Sequence, residues 1–152
     1  MYSIRLATED DIPGILEIEN EAFSPPWTHG SLLGEIYRDG SFFAVAQCKF
    51  GIPNSEFISG FIILRRMGDD GEVLQIAVEK DSRRRGVADM LMDAAFLYAK
   101  ESELKSVYLE VRKGNDAAVA LYKKHGFITV RRRKGYYSDP VEDAIVMARD
   151  II

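Results

Sequence analysis

One change of rhythm in the middle of the chain constrains the fold more than anything else in it. Glu72 to Val78 reads as a strand, and the turn Arg83-Arg84-Arg85-Gly86-Val87-Ala88 follows. Beyond it Val87, Leu91, Ala94, Ala95 and Tyr98 recur at helical spacing, which predicts a helix from Gly86 to Lys100. Ser106 to Arg112 then alternates again as a strand. A strand, a helix and a strand in succession imply parallel neighbours joined by a right-handed crossover. The residues before this unit have a different pattern. Phe42–Cys48, Phe57–Arg66 and Glu72–Val78 are separated by turn residues at Gly51–Ser55 and Gly68–Gly71, which predicts antiparallel pairing.

The flanks complete the pattern. Tyr2, Ile4 and Leu6 form a short half-buried strand. Thr8 with Glu9, Asp10 and Asp11 opens a helix carrying Ile12, Ile15, Leu16, Ile18 and Ala22. Ser24-Pro25-Pro26-Trp27 breaks it, and Thr28 caps a second helix to Arg38. After the crossover, Asn115 to His125 is a helix closed by Gly126, and Phe127–Arg132 and Ala144–Ala148 are strands joined by a long loop. The expected fold class is α/β with one mixed sheet, forming a single domain over residues 1–152.

Composition removes several functions. Twenty Lys and Arg against 24 Asp and Glu leave a net charge of −4, so direct nucleic-acid binding is not expected. Arg131-Arg132-Arg133-Lys134 reads as a solvated strand end or a patch at a cofactor's edge. One cysteine, Cys48, excludes a disulfide framework, and His29 and His125 are too isolated to suggest a metal. No apolar run reaches the ~18 residues of a membrane span. Met1 to Asp11 turns acidic where a signal peptide would continue apolar. A soluble, cytoplasmic protein is expected.

The turn before the long helix has its own chemistry. Unsatisfied N–H groups at a helix N-terminus favour a pyrophosphate, and Gly86 lets it approach the backbone. Taken alone, the stretch reads equally well as a charged loop with solvated arginines. Arg83, Gly86 and Ala88 nevertheless match the acetyl-CoA pyrophosphate signature of GNAT acetyltransferases, with alanine where many members have a second glycine. Ile76-Ala77-Val78, Asn115, Ala118, Leu121-Tyr122 and Gly126-Phe127 agree with that family. Pro26-Trp27, Tyr108-Leu109-Glu110-Val111-Arg112, Tyr136-Tyr137 and Glu142-Asp143-Ala144 resemble its ribosomal-protein-alanine N-acetyltransferase branch, the RimI type.

The resemblance implies the GNAT acyl-CoA N-acyltransferase fold, a mostly antiparallel sheet with one parallel pair and helices on both faces. It implies acetyl-CoA bound by Ile76, Ala77, Val78, the run Arg83, Arg84, Arg85, Gly86, Val87, Ala88, Asp89, and Asn115, which reads equally well as the N-cap of its helix, the two roles being compatible. The backbone N–H of Val78 would face the thioester oxygen. An attacking amine must shed a proton, so the resemblance makes Glu110 the base, on a strand expected to lie under helices. It makes Tyr122 the acid for the departing thiolate. Trp27, Tyr136 and Tyr137 would hold the acceptor between two loops, Ser24–Trp27 and Tyr136–Asp139. The implied acceptor is a protein N-terminus, an alanine-starting small-subunit ribosomal protein. The alternatives are a lysine side chain or small amine, or a non-catalytic acetyl-CoA-binding module.

Overall fold

The computed structural model describes residues 1–49 and 56–151, so the expected turn Gly51–Ser55 lies outside the described residues. In chain order the elements are β1 (Tyr2–Leu6), α1 (Ile12–Ala22), α2 (His29–Ile36), β2 (Ser41–Lys49), β3 (Glu56–Met67) and β4 (Asp70–Val78). There follow α3 (Val87–Glu101), β5 (Ser106–Arg112), α4 (Asp116–Lys124), β6 (Ile128–Ser138) and β7 (Val141–Asp150). The strands form a single seven-stranded sheet in the order β1-β2-β3-β4-β5-β7-β6. Only β4 and β5 pair in parallel; the other neighbours are antiparallel.

Each face of the sheet has its own apolar core. On one face Leu91, Met92 and Ala95 of α3 and Tyr122 of α4 pack against Ile62, Leu64, Leu109 and Val111. On the other, Ile12, Ile15 and Ile18 of α1 and Leu32 of α2 pack on Val45, Phe61, Ile63 and Ala77. No helix among the described residues is long and apolar enough to cross a membrane.

The parallel pair is short. Register runs Gly71↔Val107, Glu72↔Tyr108, Val73↔Leu109 and then stops, although β4 continues to Val78 and β5 to Arg112. The cause lies at Leu74. On β3, Ile63 faces Gln75 while Leu64 faces Val73, so Leu74 is an extra residue in the ladder. Such a bulge bends its strand and breaks the alternation of faces. Leu74 packs in the α1 core, and Gln75, next in sequence, also turns to α1 and bonds to Glu19. Beyond this point β4 and β5 part.

The end of the chain differs from the sequence expectation. No long loop joins the last two strands: β6 and β7 extend until only Asp139-Pro140 separates them. Tyr136 and Tyr137 are therefore on a strand. Two register shifts in β6, at Thr129/Arg131 and Arg133/Tyr137, disrupt the alternation that would have revealed it. The second bulge is held by Asp143, which accepts the Gly135 N–H at 2.8 Å and the Arg132 Nε–H at 2.7 Å. Gly135 has φ +62°, a conformation that suits glycine. The second helix also stops at Ile36, short of Arg38.

Close packing behind the bulged strand gives a direct test. A Cβ on Gly60 would lie 2.8 Å from the Ala77 carbonyl oxygen, which is backbone and cannot rotate away. Gly60→Ala should lower stability by about 1–3 kcal/mol, as overpacking typically does. Thermal or denaturant unfolding checks it, and an unchanged midpoint would contradict the tight approach of β3 to β4.

Candidate active site

Where β4 and β5 part, a cleft of about 380 Å³ opens on the α3/α4 face. Ile76, Ala77 and Val78 form one wall, and Ala117, Ala118, Leu121 and Tyr122 of α4 the other. The floor is the turn into α3, contributed by Ser82, Arg83, Arg84, Gly86, Val87, Ala88 and Asp89. Gly86 caps α3 at φ +82°, with no atom within 4 Å of where a Cβ would stand. It thus supplies both a left-handed turn and open space over the first N–H groups of a 15-residue helix. Arg84 is also left-handed, at φ +61°. Arg83 folds back, its Nε donating to the Val78 carbonyl at 3.2 Å. Open backbone, helix N-terminus and arginines together fit a phosphate-bearing ligand.

Three residues expected at this cleft have other placements or duties. Arg85 is exposed and off the wall. Asn115 is also off the wall and caps α4, its Oδ1 accepting the Ala118 N–H at 3.1 Å. Asp89 lines the cleft, but His125 Nε2 at 2.7 Å and Lys124 Nζ at 3.1 Å engage its carboxylate. Those bonds hold the Asp89 pKa below the usual carboxylate value and tie the end of α4 to the first turn of α3.

Tyr122 is buried at the inner end of the cleft, edge-on to Phe127 at 5.9 Å. Burial pushes its pKa up to about 12, with the nearby Tyr137 adding to the shift.

Glu110 points to the opposite face of the sheet. It shares a hollow of about 220 Å³ with Glu72, Tyr108, Arg131 and Val146. Among the described residues no helix gives it the expected cover, because α1 and α2 pack over β2 to β4. Side chains of β6 cover it instead. Arg133 Nη1 lies 2.7 Å from Glu110 Oε1, and its guanidinium stacks 4.2 Å from the centre of the Tyr136 ring. Glu110 holds the Tyr136 pKa above the ordinary phenol value. The basic run is therefore no cofactor-edge patch: Arg131 lines this hollow, Arg132 pairs with Asp143 and Arg133 with Glu110.

Glu72 escaped the sequence reading. Burial raises its pKa, the Glu110 charge raises it further, and Arg65 and Arg133 oppose the shift. The available signal was an acid within the strand, between Gly71 and Val73, one residue before the parallel pairing ends. With its cross-strand partner Arg65 it completes a charge row across the sheet, Arg65–Glu72–Glu110–Arg133. Arg65 is ion-paired with the buried Glu35 and also lines a wider depression with Pro25, Pro26 and Trp27. The Ser24–Trp27 segment and Tyr136 thus flank one charged floor. Tyr137 lies near enough to Glu110 and Tyr122 for the Glu110 charge to raise its pKa and for Tyr137 to add to the rise at Tyr122. Burial pushes the Tyr137 pKa up to about 12, and Arg112 stacks 4.3 Å from its ring centre. The Glu110 carboxylate and the Tyr122 phenol thus lie on opposite faces of the sheet, each beside the stretch where β4 and β5 no longer pair.

The sequence and the fold are similar to those of known proteins. Residues 12–127 match the model of the acetyltransferase (GNAT) family. The chain is 31% identical over 156 residues to the ribosomal protein bS18-alanine N-acetyltransferase of Escherichia coli K12, with 99% of each covered. It is 32% identical over 159 residues to an N-alpha-acetyltransferase of Saccharolobus solfataricus, covering 99% of this chain and 93% of that one. The crystal structure of the Escherichia coli ribosomal-protein-S18-alanine N-acetyltransferase superposes with a TM-score of 0.85 at 28% identity, covering 99% of this chain and 94% of that one.

The cleft makes a specific demand on Gly86. Gly86→Val strains a residue at φ +82° and fills the space over the helix N-terminus. A ligand bound only to the native state stabilises it by about 2.7 kcal/mol at a hundredfold excess over its Kd. Coenzyme A should stabilise the parent protein in a thermal-shift assay and fail to stabilise Gly86→Val. An undiminished shift would place the nucleotide elsewhere.

Proposed function

The chain belongs to the acetyltransferase (GNAT) family, and from that premise we propose that it moves acetyl from acetyl-CoA to the α-amine of a protein N-terminus. The observation that carries this reading is the two-sided site. A cleft suited to coenzyme A lies on one face beside the unpaired end of β4, and a carboxylate-floored hollow lies on the other face beside its paired stretch, with Glu110 one residue past the last pair. The proposed acetyltransferase domain spans residues 1–152. By analogy with the Escherichia coli relative, the acceptor is the alanine at the start of a small-subunit ribosomal protein, met in the cytoplasm.

The chemistry is direct attack in a ternary complex. A free α-amine has a pKa of about 7.7–8.0, so near neutral pH much of it is protonated and cannot attack. In this proposal Glu110 takes the amine proton, directly or through a water. The new N–C bond forms as the C–S bond breaks. Tyr122 passes its hydroxyl proton to the departing sulfur, and with a pKa of about 12 it remains a donor over the working range. The Val78 N–H would face the thioester oxygen, where negative charge gathers in the transition state. Arg133 competes with the incoming ammonium for Glu110, so acceptor binding has to loosen the 2.7 Å pair. Trp27, Tyr136 and Tyr137 flank the path of the acceptor backbone.

Two substitutions separate base from acid. Glu110→Gln should lower turnover by ~10²–10⁴-fold near neutral pH, and the deficit should shrink as pH passes the amine pKa. Tyr122→Phe should lower turnover with no such rescue. A pH series of kcat/KM decides, and Glu110→Gln keeping the parent rate throughout would remove the base from the mechanism.

Acceptor class has its own test. An alanine-starting peptide should be acetylated faster than its N-terminally blocked, lysine-containing twin. A lysine amine near 10.4 is protonated far more completely than an α-amine and makes a poorer nucleophile at neutral pH. Equal or faster reaction of the blocked twin would favour the lysine or small-amine reading.

A further inference from the structure

We infer that Glu19 is a neutral, buried strut that fixes the distance between the acceptor loop and the cofactor strand, and so acts as a positioning residue for the acceptor. The acceptor part of this inference rests on the function proposed above.

Glu19 lies on α1 with 0% of its surface exposed. One oxygen, Oε1, accepts the Trp27 N–H at 3.0 Å and the Gln75 Nε2–H at 3.2 Å. Trp27 ends the segment that flanks the charged floor. Gln75 is the first residue past the Leu74 bulge and immediately precedes Ile76–Val78, the wall of the coenzyme cleft. A single carboxyl oxygen thus ties the acceptor side of the site to the cofactor side.

The surroundings of Glu19 favour its neutral form. Among the described residues its partners are two neutral donors and no cation, and burial is the dominant influence, raising its pKa. Its other oxygen, Oε2, and the Gln75 Oε1 are both buried without a hydrogen-bond partner. An ionised carboxylate here would be a buried charge with nothing to balance it. A proton on Oε2 removes that charge and converts one of the two unpartnered acceptors into a donor. The strut therefore depends on the shape and hydrogen bonds of the carboxyl group and not on its charge, so glutamine can replace it.

Trp27 is the sole tryptophan of the chain, so its emission reports on one end of the strut. The experiment uses the full chain with Glu19→Leu, Glu19→Gln and Gln75→Leu. It measures Trp27 emission without substrate and steady-state kinetics with acetyl-CoA and an alanine-starting peptide. Glu19→Leu should shift the emission and raise the peptide KM about tenfold. It should leave kcat within about twofold and the acetyl-CoA KM unchanged, whereas general loosening would move all of these together. Glu19→Gln should restore the parent emission and peptide KM. If Glu19→Leu does not fold, Gln75→Leu unties the strand while leaving Trp27 bonded, and should raise the peptide KM about threefold.

Glu19→Gln as impaired as Glu19→Leu would overturn the neutral strut, as would a peptide KM unmoved in both leucine variants. Emission without substrate reads the strut alone. A shifted emission beside a parent enzyme that ignores every peptide supports the strut and counts against the acceptor reading. Unchanged emission in Glu19→Leu overturns the strut whatever the acceptor.

Discussion

The site depends on one local departure from regular pairing, the extra residue Leu74 in β4. Without it, β4 and β5 could continue their parallel ladder past Val73 and Leu109, and the sheet would separate its two faces completely. With it, the strands part where Ile76, Ala77 and Val78 line the coenzyme cleft. Backbone groups of a strand need partners. A strand released from its neighbour offers its free edge to a ligand rich in amides, as the pantetheine arm of coenzyme A is. The bulge also turns Gln75 toward α1, where Glu19 receives it.

Charge is distributed differently on the two sides of that gap. The cleft is apolar along its strand and α4 walls and basic at the turn into α3, which suits a long neutral arm ending in phosphates. The opposite hollow carries two carboxylates bracketed by Arg65 and Arg133. The bracket keeps two half-buried acids close together without leaving both uncompensated, since like charges in one site disfavour joint ionisation. Arg133 precedes the bulge held by Asp143 and pairs with Glu110, so the hairpin β6–β7 helps to shape the charged hollow. The net charge of −4 describes the whole chain and hides this local balance.

Much of this was legible in the sequence where a pattern is periodic or a turn is chemically marked. The crossover helix, the antiparallel strands before it and the Arg83–Ala88 turn all came from spacing and residue type. Glu110 and Tyr122 came from resemblance, and the structure puts them on opposite faces of the sheet at one gap. Irregular features hid the rest. Period-2 alternation fails wherever a strand holds an extra residue, so the bulges at Leu74 and at Lys134-Gly135 concealed the parting of β4 and the full length of β6. Glu72, Glu19 and the Arg133–Glu110 pair depend on contacts between strands or helices far apart in sequence, which no local window contains. Asp89 shows the converse: motif position pointed to a ligand, while its bonds here clamp α4 to α3; Asn115, whose position allowed a helix cap as readily as a ligand contact, does cap α4.

The most direct measurement is a crystal structure with a bisubstrate conjugate, an alanine-starting peptide joined through its α-amine and an acetyl bridge to coenzyme A. The pyrophosphate should lie over Gly86 and the pantetheine between β4 and β5. The bridge should fall between Tyr122 and Glu110, with the peptide leaving across the open face between Trp27 and Tyr136. A conjugate whose peptide runs along the α3/α4 face, or whose bridge lies away from the gap after Val73 and Leu109, would contradict the two-sided site.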